Sequence, residues 1–141
     1  GPCEGKLAKI IDEWEIPREL KELLKWSWFN RTGVRHPVLC SVEDIVEDEE
    51  QPQYIADGLL QIGHTMMADP IAIDFREKNC PVRYVSHDIF WEQKGATPRG
   101  SSLLLYDRLA ELLVRIAEGF YVPTDVETAR QFREQMEAMS G

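Results

Sequence analysis

A chain of 141 residues, 43% hydrophobic and 29% charged, fits one folded domain with a single core and excludes a disordered one. Its formal net charge of −9 opposes a phosphate backbone, so no direct nucleic-acid binding is expected. The three cysteines, Cys3, Cys40 and Cys80, are odd in number and far apart, which argues against a disulfide framework and a thiolate zinc site.

Residues 5–14 read as an amphipathic helix, with Leu7, Ile10, Ile11 and Trp14 on one side. Pro17 suits the first position of a second helix, whose inward stripe is Leu20, Leu23, Leu24 and Trp28. Trp26 falls off that stripe, and Asn30 and Gly33 supply the turn that ends the helix. Ser41 caps a short helix, with Asp44 completing a capping box. The acidic stretch that follows reads as irregular, with a strand around Gln53–Ile55.

Residues 59–63, 71–75 and 82–86 read as strands, with a further one at 88–92. Their short separations favour antiparallel pairing. Ser101 or Ser102 caps a long helix over 103–118, whose Leu105, Leu109, Leu112, Leu113 and Ile116 face the sheet, and Gly119 ends it. Thr124 caps a last helix reaching to about 139, with a stripe of Val126, Ala129, Phe132 or Arg133, Met136 and Met139. The expected fold is therefore α+β: one domain, a mainly antiparallel or mixed sheet with helices packed on one face, and a C-terminal helical extension. Trp14, Leu20, Leu24, Ile73, Leu109 and Leu113 are expected to be buried.

The stretch "LLQIGHTMMADPIAIDF", residues 59–75, sets His64, Asp69 and Asp74 five residues apart. Strand alternation puts Asp74 on the face opposite Ile71, Ile73 and Phe75, either facing solvent or hydrogen-bonded beneath a loop. Asp69 is explained by a local bond from its side chain to the turn backbone. His36 and His87 have no ligand-spaced neighbours, so the stretch reads as a hairpin rather than a metal or catalytic centre. The chain holds no GxSxG elbow, glycine-rich phosphate loop or DxDxG calcium loop, and neither Cys40 nor Cys80 has a cationic sequence neighbour to activate it.

Glu43, Asp44, Glu47, Asp48, Glu49 and Glu50 place six carboxylates in eight residues, a surface suited to a basic protein partner. The connection after Gly63 gathers His64, Met66, Met67 and Asp69, and methionines suit an adaptable contact surface as well as a core gap. These residues and Trp26 form the expected partner-binding set. No metal, cofactor or membrane contact is expected, and the oligomeric state is left open. No apolar run reaches membrane-spanning length and the opening "GPCEGK" lacks signal-peptide character, which points to the cytoplasm.

The order of "IPRELKELL" (Ile16–Leu24), "NRTG" (Asn30–Gly33), "VLCSVEDI" (Val38–Ile45), "LLQIG" (Leu59–Gly63), "IAIDF" (Ile71–Phe75), "PVRYV" (Pro81–Val85) and "YDRLAELL" (Tyr106–Leu113) resembles the SUKH superfamily. That group includes fungal cell-wall-synthesis regulators and many bacterial immunity proteins. The resemblance spans about residues 7–119, and the helix at about 124–139 extends past it. The family's turn after the leucine–glycine strand is small and glycine-rich, whereas here it is "HTMMADP". The resemblance implies binding rather than catalysis. The expected function is an immunity-type protein that neutralises a basic toxin domain, nucleases among the candidates. The alternative is a regulatory adaptor or scaffold of the same fold, and the distant alternative a hydrolase using His64 and nearby carboxylates.

Overall fold

The computed structural model describes residues 5–28, 38–119 and 122–140. Helix α1 (Gly5–Glu13) buries Ile11, and α2 (Arg18–Glu22) starts directly after Pro17 and buries Leu20. A π-helical turn over Leu23–Ser27 ends α2 and rolls the chain so that Trp28 points inward, its indole N–H donating to the Cys40 carbonyl at 2.9 Å. Trp26 is left outside, as its place off the apolar stripe predicts. The turn expected at Asn30–Gly33 lies outside the described residues.

Helix α3 (Val42–Glu47) is capped as expected, with the Ser41 hydroxyl accepting the Asp44 N–H at 3.2 Å. The strand expected around Gln53–Ile55 is instead α4 (Gln51–Ala56). Pro52 sits in its first turn, where a missing N–H costs nothing, and Gln51 and Tyr54 share its buried face.

Strands β1 (Leu59–His64), β2 (Pro70–Asp74) and β3 (Val82–Val85) fall where alternation and the Pro and Asn breaks put them. The expected fourth strand at 88–92 is helix α5 (His87–Glu92), started by the Ser86 hydroxyl accepting the Ile89 N–H. The long helix expected over 103–118 divides in two. Leu103, Leu104 and Leu105 are consecutive and carry no helical period, and they form β4 (Ser102–Tyr106) against β3, with Tyr84 opposite Leu103. Ser101 belongs to a 3-10 turn (Arg99–Ser101) and Ser102 to β4, so neither caps a helix. Helix α6 (Leu109–Ala117) follows and ends at Gly119, whose φ of 80° provides the left-handed stop foreseen for it. Helix α7 (Val126–Ser140) is capped by Asp125 rather than Thr124, since Asp125 accepts the Thr128 N–H at 2.7 Å.

The sheet order is β1-β2-β3-β4, every pair antiparallel, with a bulge in β1 between Gln61 and Gly63. One face carries the large core: Leu60, Ile62, Ile71, Ile73, Val82, Tyr84 and Leu105 meet Ile11, Leu20, Leu24, Ile45, Leu112 and Ala129. Leu20, Leu24 and Ile73 are buried as expected, while Trp14 and Leu109 are half-buried against that core. Leu113 is half-buried and Leu112 takes the inward place, since Leu109, Leu112 and Ile116 share the face of α6 that packs on the core and Leu113 lies at its edge. On α7, Val126, Phe132 and Met136 pack on the core, but Met139 is exposed because the helix outruns the surface beneath it.

The opposite face holds a smaller cluster of Leu59, Ala72 and Val85 under Tyr54 of α4, with Phe90 of α5 edge-on to the Tyr54 ring at 6.0 Å. The outer edge of β1 is closed by residues 38–40. Cys40 N–H donates to the Ile62 carbonyl at 2.8 Å and His64 N–H to the Val38 carbonyl at 2.9 Å. Gly63 permits this approach, since a Cβ there would lie 2.2 Å from the Val38 oxygen. Where that pairing stops, the Gln51 side chain takes over. Its amide donates to the Gln61 and Ile45 carbonyls, both at 3.0 Å, and accepts the Gln61 N–H at 2.8 Å.

A candidate binding pocket beside the β1–β2 turn

The expected partner-binding residues divide by place. Glu43, Asp44 and Glu47 lie on α3, and Glu49 sits in the turn before α4; of these, Asp44, Glu47 and Glu49 are exposed. Asp48 has a structural task. Its Oδ1 accepts the Glu50 N–H at 2.8 Å and the Gln61 amide at 3.3 Å, and its Oδ2 is 3.9 Å from His64 Nε2. Trp26 is 60% exposed on the π-helical turn and is not among the residues that line the pocket below.

The turn between β1 and β2 is closed by Thr65. Its N–H donates to the Asp69 carbonyl at 2.9 Å, and its hydroxyl accepts the Asp69 N–H at 3.2 Å. Ala68 takes the left-handed conformation, φ 66°, that a tight turn otherwise reserves for glycine. Met66 and Met67 project from the tip, 87% and 62% exposed. The hairpin reading of this stretch thus holds.

Asp69 does more than close its own turn. It is 5% exposed, and its carboxylate accepts from the Tyr84 hydroxyl at 2.5 Å and from the His87 N–H at 3.1 Å; His87 Nδ1 lies 2.6 Å away. A carboxylate only accepts, so Nδ1 carries the proton in that bond. Burial, the hydrogen bond to Asp69 and that residue's charge push the Tyr84 phenol far above its ordinary range. Asp88 stands 3.0 Å from the other ring nitrogen of His87. The local turn bond expected of the Asp69 side chain is replaced by this reach to β3 and α5, and the turn is closed instead by the Asp69 backbone with Thr65.

Asp74 is wholly buried and joins a separate cluster beneath the 3-10 turn, the second of the two places expected for it. Arg99 grips it with two bonds of 2.6 and 2.8 Å, Arg76 N–H adds a third at 3.2 Å, and Arg83 lies 3.9 Å away. Burial acts to raise this carboxyl, but the Arg99 bonds and charge, the Arg76 N–H and Arg83 outweigh it and hold it below the ordinary range. His64, Asp69 and Asp74 therefore form no single centre.

What the fold does assemble is a cavity of about 180 Å³ lined by Glu50, Tyr54, Gln61, His64, Ala68, Pro70, His87 and Trp91. Glu50, His64 and the turn's Ala68 were within the expected region, whereas Tyr54, His87 and Trp91 were not. The missed signal lies in "SHDIFW": a capping serine starts a helix there, and His87 and Trp91, four residues apart, share one face of it. Their rings meet edge-to-face at 5.6 Å, and Trp91 remains 68% exposed. Burial, followed by Glu50, Asp48 and Asp69, holds the Tyr54 phenol in its protonated form.

Beside the pocket, Cys40 Sγ lies 3.5 Å from His64 Nδ1, an arrangement that outwardly suits nucleophilic chemistry. Burial, with Asp44 and Asp48 nearby, pushes the Cys40 thiol up to about 11. An activated cysteine needs the opposite shift, so at neutral pH this sulfur is a thiol facing an imidazole. Cys40 and Cys80 are both free. Among the described residues, no group of three His, Cys, Asp or Glu side chains is placed to hold a metal ion. No described helix is long and apolar enough to cross a membrane. Compared with protein families, curated proteins and solved structures, the chain has no match in any of the three.

Proposed function

We propose that this chain is a cytoplasmic, non-catalytic protein-binding module of the immunity type, which binds and neutralises a basic toxin domain. The observation that carries the reading is the surface at the β1–β2 turn. Met66 and Met67 stand exposed next to Ala68, which lines the pocket, while Trp91 forms another part of its wall. Adaptable methionines and an exposed aromatic beside carboxylates suit a protein interface with an apolar centre and a charged rim. The acidic composition and the resemblance of the segment order to that of SUKH proteins support the same reading. The raised Cys40 thiol weighs against a hydrolytic use of His64.

Glu47 and Glu49 are exposed, as is Asp44, while Asp48 is held by Glu50 and Gln61, so a test of long-range steering is placed at the first two. Reversing them to lysine should slow association with a basic partner several-fold at low salt and much less at high salt. The partner is obtained by affinity capture from the native cell and tested for toxicity with and without this protein. A non-toxic regulatory partner would reassign the chain as an adaptor, and equal association rates at low salt would remove the acidic segment from the encounter.

A further inference from the structure

We infer that the pocket between the β1–β2 turn and α5 is a receptor for one guanidinium group, the head of an arginine side chain presented by the protein partner. This inference rests on the protein-binding reading above and names what that surface recognises. The cavity, about 180 Å³, is smaller than the roughly 300–1,000 Å³ typical of drug-sized ligands, and its scale is that of a single side chain.

Its chemistry selects a cation. Glu50 lines it directly, and three carboxylates stand just behind the lining: Asp48 beside His64, and Asp69 and Asp88 on the two nitrogens of His87. No lysine or arginine is among the lining residues described. An anion entering there would meet these four carboxylates with at most the two histidines to offset them. Tyr54 supplies a second, independent observation. The residue is 1% exposed and lines the cavity, yet its hydroxyl makes no hydrogen bond to any described residue. A tyrosine oxygen accepts as well as donates, so an N–H donor in the pocket can bond to it.

Shape then favours guanidinium over ammonium. Trp91 is a wide aromatic surface, 68% exposed, at the pocket wall. A flat, weakly hydrated guanidinium can stack on such a ring while its N–H fork reaches Glu50 and the Tyr54 oxygen. An ammonium is compact and strongly hydrated and would use the ring less well.

The test is a titration of the isotope-labelled full chain with N-acetyl-arginine methylamide, followed by NMR at the Trp91 indole N–H and the His64 and Ala68 amides. The neutral citrulline analogue and the lysine analogue are run alongside. The expected result is saturable shifts at those signals, with citrulline binding weaker by about tenfold or more and lysine in between. Glu50→Gln and Trp91→Ala should each weaken the arginine probe by about tenfold while leaving the amide spectrum of the sheet native. Citrulline binding as well as arginine, no shifts at these signals, or a native-like Trp91→Ala with unchanged affinity would each overturn the inference. A captured partner held equally by wild type and Trp91→Ala would overturn the arginine-insertion source, leaving a free guanidinium compound as the ligand. Failure to retain any basic protein would instead count against the protein-binding reading, which the probe titration does not touch.

Discussion

On one face of the sheet, Leu60, Ile62, Ile71 and Ile73 meet apolar side chains from α1, α2, α3, α6 and α7; on the other, Gln61, Asp74 and Arg83 stand among Leu59, Ala72 and Val85. The first face is stabilised by burial, which is non-directional and scales with the area removed from water. The second depends on individual polar groups finding named partners, and each fails separately if its partner is lost. Errors on the first face are therefore errors of volume, and errors on the second are errors of charge and hydrogen bonding. Variants on the two faces should separate along that line.

The largest loss is expected from Arg99→Met. It strips a wholly buried carboxylate of its two strongest bonds, and breaking a buried pair in this way costs about 3–5 kcal/mol. Asp74→Asn should cost less, because the cation it leaves behind is 28% exposed and can find water. Acid unfolding gives the sign. The Asp74 carboxyl lies below its ordinary range when folded, so its contribution is present above the unfolded pKa of about 3.9 and is lost as pH falls through the folded value. A chemical denaturation series across that acid range should show a steeper decline for wild type than for Asp74→Asn. Equal slopes would mean that Asp74 contributes no folding linkage.

On the apolar face, Ile73→Ala should cost about 2–5 kcal/mol by opening a cavity where the side chain is fully buried. Unlike the Asp74 and Arg99 variants, its loss should keep the same size across the acid range. Next in size is Gln51→Leu, a substitution of similar volume that leaves the Gln61 N–H and the Ile45 and Gln61 carbonyls without their side-chain partner. About 1–3 kcal/mol is expected from the denaturation midpoint. A stabilising result would show that the α4–β1 junction accepts an apolar replacement and that the contrast between the faces stops short of it.

This contrast also explains what could be read in advance. The β1–β3 strands, the Ser41 cap and the Gly119 stop follow local rules, and those rules are written in neighbouring residues. Leu103–Leu105 obeys no local rule, because a short apolar run suits a buried helix or strand equally and only pairing with β3 decides between them. The same limit hid the site. Glu50 and His64 belonged to two separate stretches of the expected binding set, and His87 and Trp91 come to them only through the β2–β3 hairpin and the Asp69 bond to α5. Asp74 and Arg99 are 25 residues apart and meet for the same reason. Periodicity reports which face a residue occupies and not which polar partner it will find there.

The smallest effect is expected at Ser86, and it bears on whether α5 opens as a unit distinct from the sheet. The Ser86 hydroxyl caps α5 through the Ile89 N–H at 3.4 Å, a long bond, so Ser86→Ala should fall at the low end of the cap range, about 0.5 kcal/mol. Other attachments remain, among them two bonds from His87 to Asp69 and the edge-on contact of Phe90 with Tyr54. The global unfolding midpoint should therefore hardly move. Local opening is a different quantity, because the first turn of α5 loses an N–H acceptor while β2 loses nothing. Amide hydrogen exchange at Ile89 and Phe90 should accelerate about two-fold, in line with a cost of about 0.5 kcal/mol, with Ile71 and Ile73 unchanged. Because α5 carries both His87 and Trp91, the arginine probe should also bind slightly more weakly. Equal acceleration in β2 and α5 would mean that the helix opens only with the whole sheet, and the pocket wall would then be as rigid as the apolar core.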